Sequence, residues 1–455
     1  MNECRVLPEN ISLPERPTVA VVGLGYVGSC VAATLADRGL DVIGVDIDVR
    51  LVDELGAGVV RFEERGLPEM VRRGLAAGRL RVTDDCAAAA SADVVLITVG
   101  TPVREGGALD DRQLRAACAI LGAHARPGQL YVVKSTVPPG TTRSLVASSL
   151  EASGLRAGED FLLAYSPERL AESTALAELR TLPIVVGGID ERSSTVAAEF
   201  WRRSLGVEVI AQDSLEAAET VKLADNWWID VNIALANELA KFCALYGVDV
   251  LDVIAAANSI PKGDGHVNIL RPGVGVGGSC LTKDPWMVWH EAARRDLDIW
   301  TAKVGRTVND GMPEYSADLI VDGLASLGKG RESRTVAILG LAFKNDTGDL
   351  RSSPVRGVID VLTKAGLRIR VHDPLVDPDQ AEELLGIRPD ATVEEAVRDA
   401  DCVAVLALHR PFRDIDFAAL PVARPCLLMD GRAYYSKERI EELRGQGYVY
   451  RGIGR

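Results

Sequence analysis

The sequence has few cysteines, a deficit of positive charge and no long apolar run. Its 455 residues include 8 cysteines without a Cys-x-x-Cys pair, so we predict neither a disulfide framework nor a metal site. The 51 basic and 65 acidic residues give a net charge of −14, and so acidic a surface disfavours nucleic acid as a partner. Apolar runs such as residues 402–408 fall far short of the ~18 residues that a membrane span needs.

The composition is that of an ordinary globular protein. Apolar residues make up 47% of the chain and charged residues 25%, which is enough apolar material for a sizeable core. At ~150 residues per domain, the length indicates three domains, or two large ones with a connecting element. Residues 1–16 contain no apolar signal core and are expected to form a loose leader, and we predict a cytoplasmic location.

The first motif is a strand, a glycine turn, a helix and a second strand. An apolar run at 18–22 leads into the sequence GLGYVG at 23–28. Glycines in this pattern let a pyrophosphate approach the N-terminus of the following helix. Asp46 stands 18 residues beyond Gly28, where a carboxylate accepts hydrogen bonds from the adenosine ribose and repels the extra phosphate of NADP. The motif therefore predicts NAD as the cofactor.

The texture of the chain indicates three regions. Strands recur up to about residue 212 and again from residue 335, whereas residues 214–246 contain neither proline nor glycine. We expect one helix there, capped by Asp213 together with Glu216, ended at Gly247 and about 45–50 Å long. The predicted fold class is α/β, with two Rossmann-like doubly wound domains joined by a long central helix. The parts are an N-terminal domain at 17–212, a central helical region at 213–328 and a C-terminal domain at 329–455.

A second motif, PGVGVGGSCLTKDP at 272–285, carries a cysteine in a glycine-rich loop. Glycines cost backbone entropy and supply no side-chain contact, so the loop is expected to let its backbone approach a partner. It places Cys280 near Lys283 and Asp284, and a nearby cation favours the nucleophilic thiolate. Cys280 is therefore a candidate nucleophile, and the alternative is a small buried residue.

Three further stretches place charged side chains where α/β proteins bind ligands. Glu168 and Glu172 follow an apolar strand and, four residues apart, are expected to share a helical face, although a solvated pair would look the same. Lys222 and Asn226 project from one face of the long helix among apolar neighbours, either as a buried pair with an anionic partner or as a surface lysine. The stretch FKNDTGDLRSSP at 343–354 is expected to hold a diphosphate or to form a solvated turn.

In this order, the five stretches resemble the UDP-glucose/GDP-mannose dehydrogenase family from about residue 18 to the C-terminus. The resemblance implies an NAD-binding Rossmann domain, a central helix that builds a homodimer, and a C-terminal domain that binds the nucleotide of a sugar. It also implies a four-electron oxidation at C6 of a nucleotide-activated hexose. The aldehyde formed first adds to Cys280, a second oxidation leaves a thioester, and water releases the uronic acid.

The resemblance assigns roles to particular residues. Cys280 is the nucleophile, Lys222 and Asn226 stabilise the oxyanion, and Thr136, Glu172 and Asp284 assist hydride transfer or activate water. The residues expected to touch NAD are Gly23, Gly25, Tyr26, Val27, Gly28, Asp46, Thr101, Thr136, Glu172, Lys283 and Arg351. The residues expected to contact the substrate are Glu168, Arg169, Leu170, Glu172, Lys222, Asn226, Arg271, Gly275, Gly277, Cys280, Phe343, Lys344 and Arg432.

The sequence leaves the hexose and its nucleotide open. Ser279 and Lys283 follow the UDP-glucose pattern, and UDP-glucose, or a close relative such as dTDP-glucose, is the first expectation. The sequence VNILRPG at 267–273 and Trp286 resemble the UDP-N-acetylmannosamine branch, which is the alternative substrate.

Two other classes of protein share parts of this plan. A non-catalytic regulator that binds NAD or a nucleotide sugar could use the same fold. Intact Cys280, Lys222, Asn226 and Asp284 disfavour it. A two-electron hydroxyacid dehydrogenase shares the first domain and a helical spine but needs no cysteine loop.

Overall fold

The computed structural model describes residues 13–263, 265–328 and 334–455, so residues 1–12 of the expected leader lie outside the described residues. The chain divides into two compact units, one up to Asp225 and one from Asn226, and the boundary falls inside one long helix. The division into three regions at residues 212 and 328 stays a prediction. In the part of the chain that the structure describes, no helix is long and apolar enough to cross a membrane.

The first unit is built on an eight-stranded sheet. Its strands are β1 Val19–Val22, β2 Val42–Val45, β3 Leu80–Thr83, β4 Val94–Ile97, β5 Leu130–Val133, β6 Leu162–Tyr165, β7 Ile184–Gly188 and β8 Val209–Gln212. Their order is β3-β2-β1-β4-β5-β6-β7-β8, and neighbours are parallel except β6 and β7. The strand order reverses between β1 and β4, and ligands bind open α/β sheets at such a reversal, beyond the carboxyl ends of the strands.

Helices cover both faces of this sheet. They are α1 Tyr26–Asp37, α2 Val49–Gly56, α3 Leu67–Ala76, α4 Arg112–Ala123, α5 Ser148–Leu150, α6 Ala175–Glu178 and α7 Glu191–Leu205. A π-helix, Thr142–Ala147, leads into α5, and 3₁₀ turns lie at Cys86–Ser91, Glu105–Gly107 and Glu151–Ser153. Val19 and Val21 of β1 enter one core cluster, and Ala20 and Val22 enter the other, because successive side chains of a strand point to opposite faces.

The long helix is α8, Leu215–Leu245, with 31 residues and a length of about 46 Å. It confirms the helix predicted over 214–246. The predicted cap was wrong, because the Ser214 hydroxyl, not Asp213, accepts the hydrogen bond from the Ala217 N–H at 3.1 Å. Gly247 has φ +63° and follows the last turn, as expected.

The second unit combines a helical layer with a five-stranded parallel sheet. After α8 come the helix α9 Val250–Ala257, the two-stranded hairpin β9 Pro261–Lys262 and β10 Gly265–His266, and the helices α10 Asp284–Ala293, α11 Trp300–Asp310 and α12 Met312–Ser326. The sheet strands are β11 Thr335–Leu339, β12 Arg368–His372, β13 Cys402–Val405, β14 Cys426–Asp430 and β15 Tyr448–Gly452. The remaining helices are α13 Val355–Lys364, α14 Pro378–Leu385, α15 Val393–Val397, α16 Arg410–Arg413 and α17 Lys437–Gly445.

This sheet has the order β12-β11-β13-β14-β15, and each neighbouring pair is parallel. Val336 and Ile338 of β11 enter one core cluster, and Ala337 and Leu339 enter the other. The second sheet is therefore covered on both faces like the first. Both units are Rossmann-like, which confirms the predicted fold class.

Candidate active site

The glycine turn after β1 has two glycines set by packing and one that faces open space. Gly23 has φ +98°, and a Cβ placed on Gly28 would lie 1.8 Å from the Gly23 carbonyl oxygen. A Cβ on Gly25, which precedes the first residue of α1, would meet no atom within 4 Å. The turn therefore offers open space directly before a helix N-terminus, where a pyrophosphate can approach the Tyr26 and Val27 amides.

A Gly25→Ala variant should keep its fold and lose NAD affinity. Gly25 has φ −56°, so alanine is allowed there, but its methyl group would fill the space before α1. We expect the melting temperature to stay unchanged and the Kd for NAD to rise about tenfold or more, as one misplaced contact costs at least ~1.4 kcal/mol. Calorimetric titration with NAD measures this. Gly28→Ala is the contrast, because its clash with Gly23 should lower the melting temperature itself.

Asp46 ends β2 with its carboxylate held by backbone amides. Its Oδ2 accepts the Leu24 N–H at 2.6 Å, and its Oδ1 accepts the Asp48 N–H at 2.9 Å. Leu24 lies within the glycine turn, so Asp46 is fixed beside it. Each carboxylate oxygen keeps acceptor capacity for a ribose hydroxyl.

The other predicted residues of this unit lie at the same edge of the sheet. Thr101 follows β4, Thr136 follows β5 and Glu168 follows β6, and the carboxyl ends of parallel strands share one edge. The shared helical face predicted for Glu168 and Glu172 was wrong. The segment from Ser166 to Ala171 is extended loop, and α6 begins only at Ala175.

A buried ion pair orients Glu168, and the sequence analysis missed its lysine. Lys134 follows β5, is 4% exposed, and its Nζ lies 3.7 Å from Glu168 Oε2 and 3.4 Å from the Ser166 carbonyl. Burial lowers the pKa of the Lys134 ammonium, and Glu168 acts in the opposite direction. The other Glu168 oxygen accepts the Leu170 N–H at 2.6 Å. Arg169 pairs with Asp225 of α8 at 2.9 Å, so it is a structural contact in this unit.

Tyr26 was expected to touch NAD, and its hydroxyl has a structural role. It donates to Glu64, which is 5% exposed, and accepts the Ser173 N–H at 3.1 Å. Glu64 also accepts the Ala175 N–H at 3.3 Å. These bonds fix the segment around Glu172 to the start of α1. Only the backbone of Tyr26 then remains for a pyrophosphate.

The face of α8 that carries Lys222 and Asn226 is buried, and it begins with Glu219. Lys222 is 6% exposed, Asn226 is 7% exposed and Glu219 is fully buried. The Glu219 carboxylate accepts the Gly140 N–H at 2.5 Å and the Thr142 N–H at 2.8 Å. Burial raises the pKa of Glu219 to about 7, against the opposing effect of these two amides. Glu219 thus ties α8 to the loop that follows Thr136.

A Glu219→Gln variant should lose part of the pH dependence of stability. The folded carboxyl has a pKa of about 7 against 4.5 for the model group, so its contribution is full below pH 4.5 and is lost as pH rises through 7. Glutamine does not ionise, so the variant should gain on the wild type by up to about 3 kcal/mol above pH 7. Denaturant unfolding on both sides of this window measures the difference.

Glu216→Gln is the matched control. Its Arg143 partner lowers the pKa of Glu216, so this carboxyl titrates below the window and its replacement should leave the slope unchanged. An unchanged slope in Glu219→Gln would contradict the prediction.

In the second unit, the glycine loop lies against the 343–354 stretch. A Cβ on Gly277 would lie 2.5 Å from the Phe343 Cβ, one on Gly278 would lie 2.9 Å from the Phe343 ring, and one on Gly275 would lie 2.9 Å from Pro354. The Gly278 N–H donates to the Arg351 carbonyl at 3.0 Å. The close approach predicted for this loop is therefore explained by the protein itself, and a ligand contact of Gly275 or Gly277 stays a prediction.

Cys280 ends this loop on the surface of the unit. It is exposed, whereas the other six described cysteines are buried, and its Sγ lies 3.9 Å from the Ser279 hydroxyl. Its carbonyl accepts the Asp284 N–H at 2.9 Å, in the turn that begins α10. A buried-residue reading of Cys280 is therefore wrong.

Asn226 and Asp284, predicted as a catalytic set, are in contact. The Asn226 amide donates to Asp284 Oδ2, and the Lys283 ammonium lies 2.6 Å from Asp284 Oδ1. Asp284 is fully buried. Its carboxylate therefore orients the Asn226 amide and holds the Lys283 ammonium.

The predicted nucleotide-sugar residues surround the carboxyl end of β11. Arg432 donates to the Phe343 carbonyl at 2.5 Å, its stem would lie 3.3 Å from a Cβ on Gly273, and its buried Nε has no hydrogen-bond partner among the described residues. Arg351 forms a bidentate pair with Asp349, and Lys344 and Arg271 are exposed. A buried guanidinium N–H with spare capacity fits an anionic ligand.

The two Rossmann-like units differ at the residue that follows their second strand. Asp373 follows β12 as Asp46 follows β2, and its Oδ2 accepts the Leu341 N–H at 2.7 Å. That oxygen also lies 2.9 Å from His409 Nε2, and both side chains are fully buried. His409 thus takes the place that a ribose would need, so this carboxylate is closed to a ligand.

Comparisons with known proteins follow this division of the chain. Three models of the UDP-glucose/GDP-mannose dehydrogenase family match: the NAD binding domain at residues 17–205, the central domain at 216–311 and the UDP binding domain at 337–437. The chain is 31% identical to the UDP-N-acetyl-D-mannosamine dehydrogenase of Pyrococcus horikoshii, over 96% of this chain and 99% of that protein. It is 34% identical to the NDP-N-acetyl-D-galactosaminuronic acid dehydrogenase of Ralstonia solanacearum, over 93% and 97%.

Two solved structures resemble it over almost the whole chain. The P. horikoshii UDP-D-ManNAc dehydrogenase structure superposes with a TM-score of 0.87 at 31% identity, covering 96% of this chain and 99% of the other. A UDP-glucose dehydrogenase from Pyrobaculum islandicum superposes with a TM-score of 0.85 at 31% identity, covering 99% of each chain.

Proposed function

Because the chain belongs to the UDP-glucose/GDP-mannose dehydrogenase family, we propose that it oxidises the C6 hydroxyl of a nucleotide-activated hexose to the uronic acid. Its NAD-binding domain confirms NAD as the cofactor. The observation that carries the four-electron reaction is the exposed Cys280 at the end of a loop held on both sides, next to the Asn226–Asp284 pair.

Each residue has a separate task in the proposed reaction. NAD, when bound, accepts the hydride in each of the two oxidations. The Cys280 thiolate adds to the aldehyde carbon, and the resulting thiohemiacetal loses a hydride to become a thioester. Water attacks the thioester carbonyl, the acid leaves, and the Cys280 sulfur regains its proton. Lys222 and Asn226 are the proposed donors to the tetrahedral oxyanion.

The residues that handle water and protons remain proposals. Thr136 and Asp284 are assigned to the attacking water, and Glu172 is assigned to hydride transfer and hydrolysis. Lys134 supports this part of the site, because its ammonium holds the Glu168 carboxylate at the carboxyl end of β6. The sequence and structure provide all of these groups, and a non-catalytic binding protein would have no need for them.

For the hexose we favour a UDP-activated 2-acetamido sugar, with UDP-N-acetylmannosamine first. The P. horikoshii and R. solanacearum relatives carry acetamido-sugar names over nearly their whole length. The segment that resembles this branch is also firmly built. Asn258 accepts the Ile269 N–H at 2.8 Å, and Asn232 accepts the Leu270 N–H at 2.8 Å. This order reverses the one expected from Ser279.

UDP-glucose stays the second candidate, supported by Ser279, Lys283 and the similarity to the P. islandicum structure. The deciding experiment supplies excess NAD to purified protein with UDP-N-acetylmannosamine or UDP-glucose and counts NADH per sugar consumed. Two NADH per sugar would establish the four-electron reaction and the preferred hexose together. One NADH per sugar, with aldehyde as product, would contradict it.

We also propose that α8 joins two copies of the chain. Every third or fourth residue of one α8 face reaches the surface, and we call this face the seam. Its residues are Ala224, Trp228, Val231, Leu235, Glu238, Phe242 and Leu245. Its large apolar members are 51–77% exposed, and their spacing is that of a coiled-coil contact. A second copy of the same helix would cover them.

A Leu235→Glu variant should therefore be monomeric at concentrations where the wild type is a dimer. A charge at the centre of an apolar seam must be desolvated on association, which costs several kcal/mol. Light scattering after gel filtration measures the mass. Ala244→Glu, an exposed position of α8 outside the seam, is the control and should leave the mass unchanged. A wild-type monomer would refute the seam contact.

A further inference from the structure

The second unit contains a buried polar network that the proposed reaction leaves unused. Asp230 and Asn237 of α8 are fully buried, and Arg306 and Asn309 of α11 are 1% exposed. Burying four such side chains is costly unless their hydrogen bonds are satisfied, so a network of this kind needs a reason.

The charge of Asp230 sets the orientation of two amide groups in turn. Asp230 carries only acceptors, so Asn309 must present its NH₂, which lies 2.8 Å from Asp230 Oδ1 and 2.9 Å from the Asp230 carbonyl. The Asn309 oxygen is then left to accept from the Asn237 NH₂ at 2.9 Å. The Asn237 oxygen in turn faces outward from this pair, and it accepts the Gly273 N–H at 2.9 Å.

The network holds the cysteine loop at both of its ends. Gly273 is the second residue of the loop, and Asn237 fixes its amide. Arg306 pairs with Asp230 Oδ1 at 2.7 Å and reaches the carbonyl of Leu281, the residue after Cys280, at 3.4 Å. Between these ends, a Cβ on Gly275 would lie 3.2 Å from the Asn309 carbonyl, so α11 also supports the middle of the loop.

Stability alone does not account for this pair of charges. A buried ion pair contributes little net stability, because desolvation offsets the attraction. Here Asp230 Oδ2 and Arg306 Nε also have no hydrogen-bond partner among the described residues. An apolar pair of the same volume would pack these helices at least as well, but it could not orient Asn309 and Asn237.

We propose that Asp230, Asn309 and Asn237 form a polarity relay that fixes the cysteine loop at Gly273, with Arg306 at Leu281, and thereby positions Cys280. The relay residues are positioning residues for the proposed oxidation, and the inference rests on that function. They touch neither the reacting carbon nor the sulfur, and act only through the backbone of the loop.

The test is Asp230→Asn, which keeps the size and removes the charge. An amide at 230 offers a donor and an acceptor, so Asn309 and Asn237 can take either orientation and some molecules present NH₂ to the Gly273 N–H. We expect hydrogen exchange of the segment 273–281 to rise about tenfold, measured by mass spectrometry on the full-length protein. We expect kcat to fall at least about tenfold while the KM for NAD stays within about twofold.

Two further variants complete the design. Asn237→Leu removes the acceptor at similar volume and should loosen the same segment. Asp401→Asn is the matched control, because Asp401 also accepts a backbone amide, that of Thr335 at 3.0 Å, at the opposite end of β11 from the cysteine loop. It should leave both exchange in 273–281 and kcat unchanged.

Wild-type exchange in both Asp230→Asn and Asn237→Leu would overturn the relay. Raised exchange with unchanged kcat would overturn its role in positioning Cys280. A wild-type protein that forms no NADH from any nucleotide sugar would instead overturn the proposed function, and the exchange comparison would still decide the relay.

Discussion

Cys280→Ser should bind NAD as the wild type does and form the uronic acid at least about a thousandfold more slowly. A serine hydroxyl is far less ionised than a thiol near neutral pH, so it adds slowly to the aldehyde and no thioester forms. The first oxidation does not require the thiol, so the variant should still produce aldehyde and up to one NADH per sugar. Single-turnover NADH fluorescence, with mass spectrometry of the sugar products, separates these two oxidations.

Ser279→Ala is the control for this substitution. Its hydroxyl lies 3.9 Å from the Cys280 sulfur, so the variant disturbs the same loop without removing the nucleophile. We expect acid formation within a few-fold of the wild type. Steady acid release by Cys280→Ser at a wild-type rate would remove the covalent step and favour an ordinary two-electron dehydrogenase.

Asp46→Asn should shift the cofactor preference from NAD toward NADP by about ten- to a hundredfold in the ratio of kcat/KM values. The carboxylate is held beside the glycine turn by the Leu24 and Asp48 amides, so its charge lies where the ribose is expected. Asparagine keeps the size and removes the repulsion of a 2′-phosphate. Asp46→Ala removes the ribose acceptor as well, so it should also weaken NAD.

Asp48→Asn provides the same charge change two residues away. Asp48 caps α2 by accepting the Arg50 and Leu51 amides, and asparagine caps helices equally well. Its NAD-to-NADP ratio should stay within about threefold of the wild type. Equal shifts in both variants would mean that general surface charge, not a ribose contact, sets the preference.

The sequence was informative wherever the signal was local. The apolar run before GLGYVG and Asp46 at its distance predicted the first nucleotide site, because that motif repeats one backbone geometry wherever it occurs. The absence of proline and glycine over 214–246 predicted α8 to within a residue at each end. The cap was misplaced by one residue, since Asp213 and Ser214 are both good capping residues and only the backbone decides between them.

The errors arose where local spacing was taken for structure. Glu168 and Glu172 have helical spacing, but the Lys134 ion pair and the Glu64 contacts hold their segment as a loop. The glycines at 275, 277 and 278 signalled a close approach correctly, and the partner is Phe343 and Pro354 of the same unit. No pattern near residue 275 indicates what lies some seventy residues further along the chain.

By itself, then, the sequence determined the fold class, the cofactor and the position of the reactive cysteine, since each depends on a short run of residues with its own backbone preference. Only the tertiary structure decided which carboxylates are open to a ligand. Asp46 and Asp373 occupy matching positions, yet His409, contributed from 36 residues further on, closes the second. Likewise, the burial of Glu219 and the Asp230–Asn309–Asn237 relay exist only after distant segments pack, because desolvation and hydrogen-bond partners are properties of the assembled core.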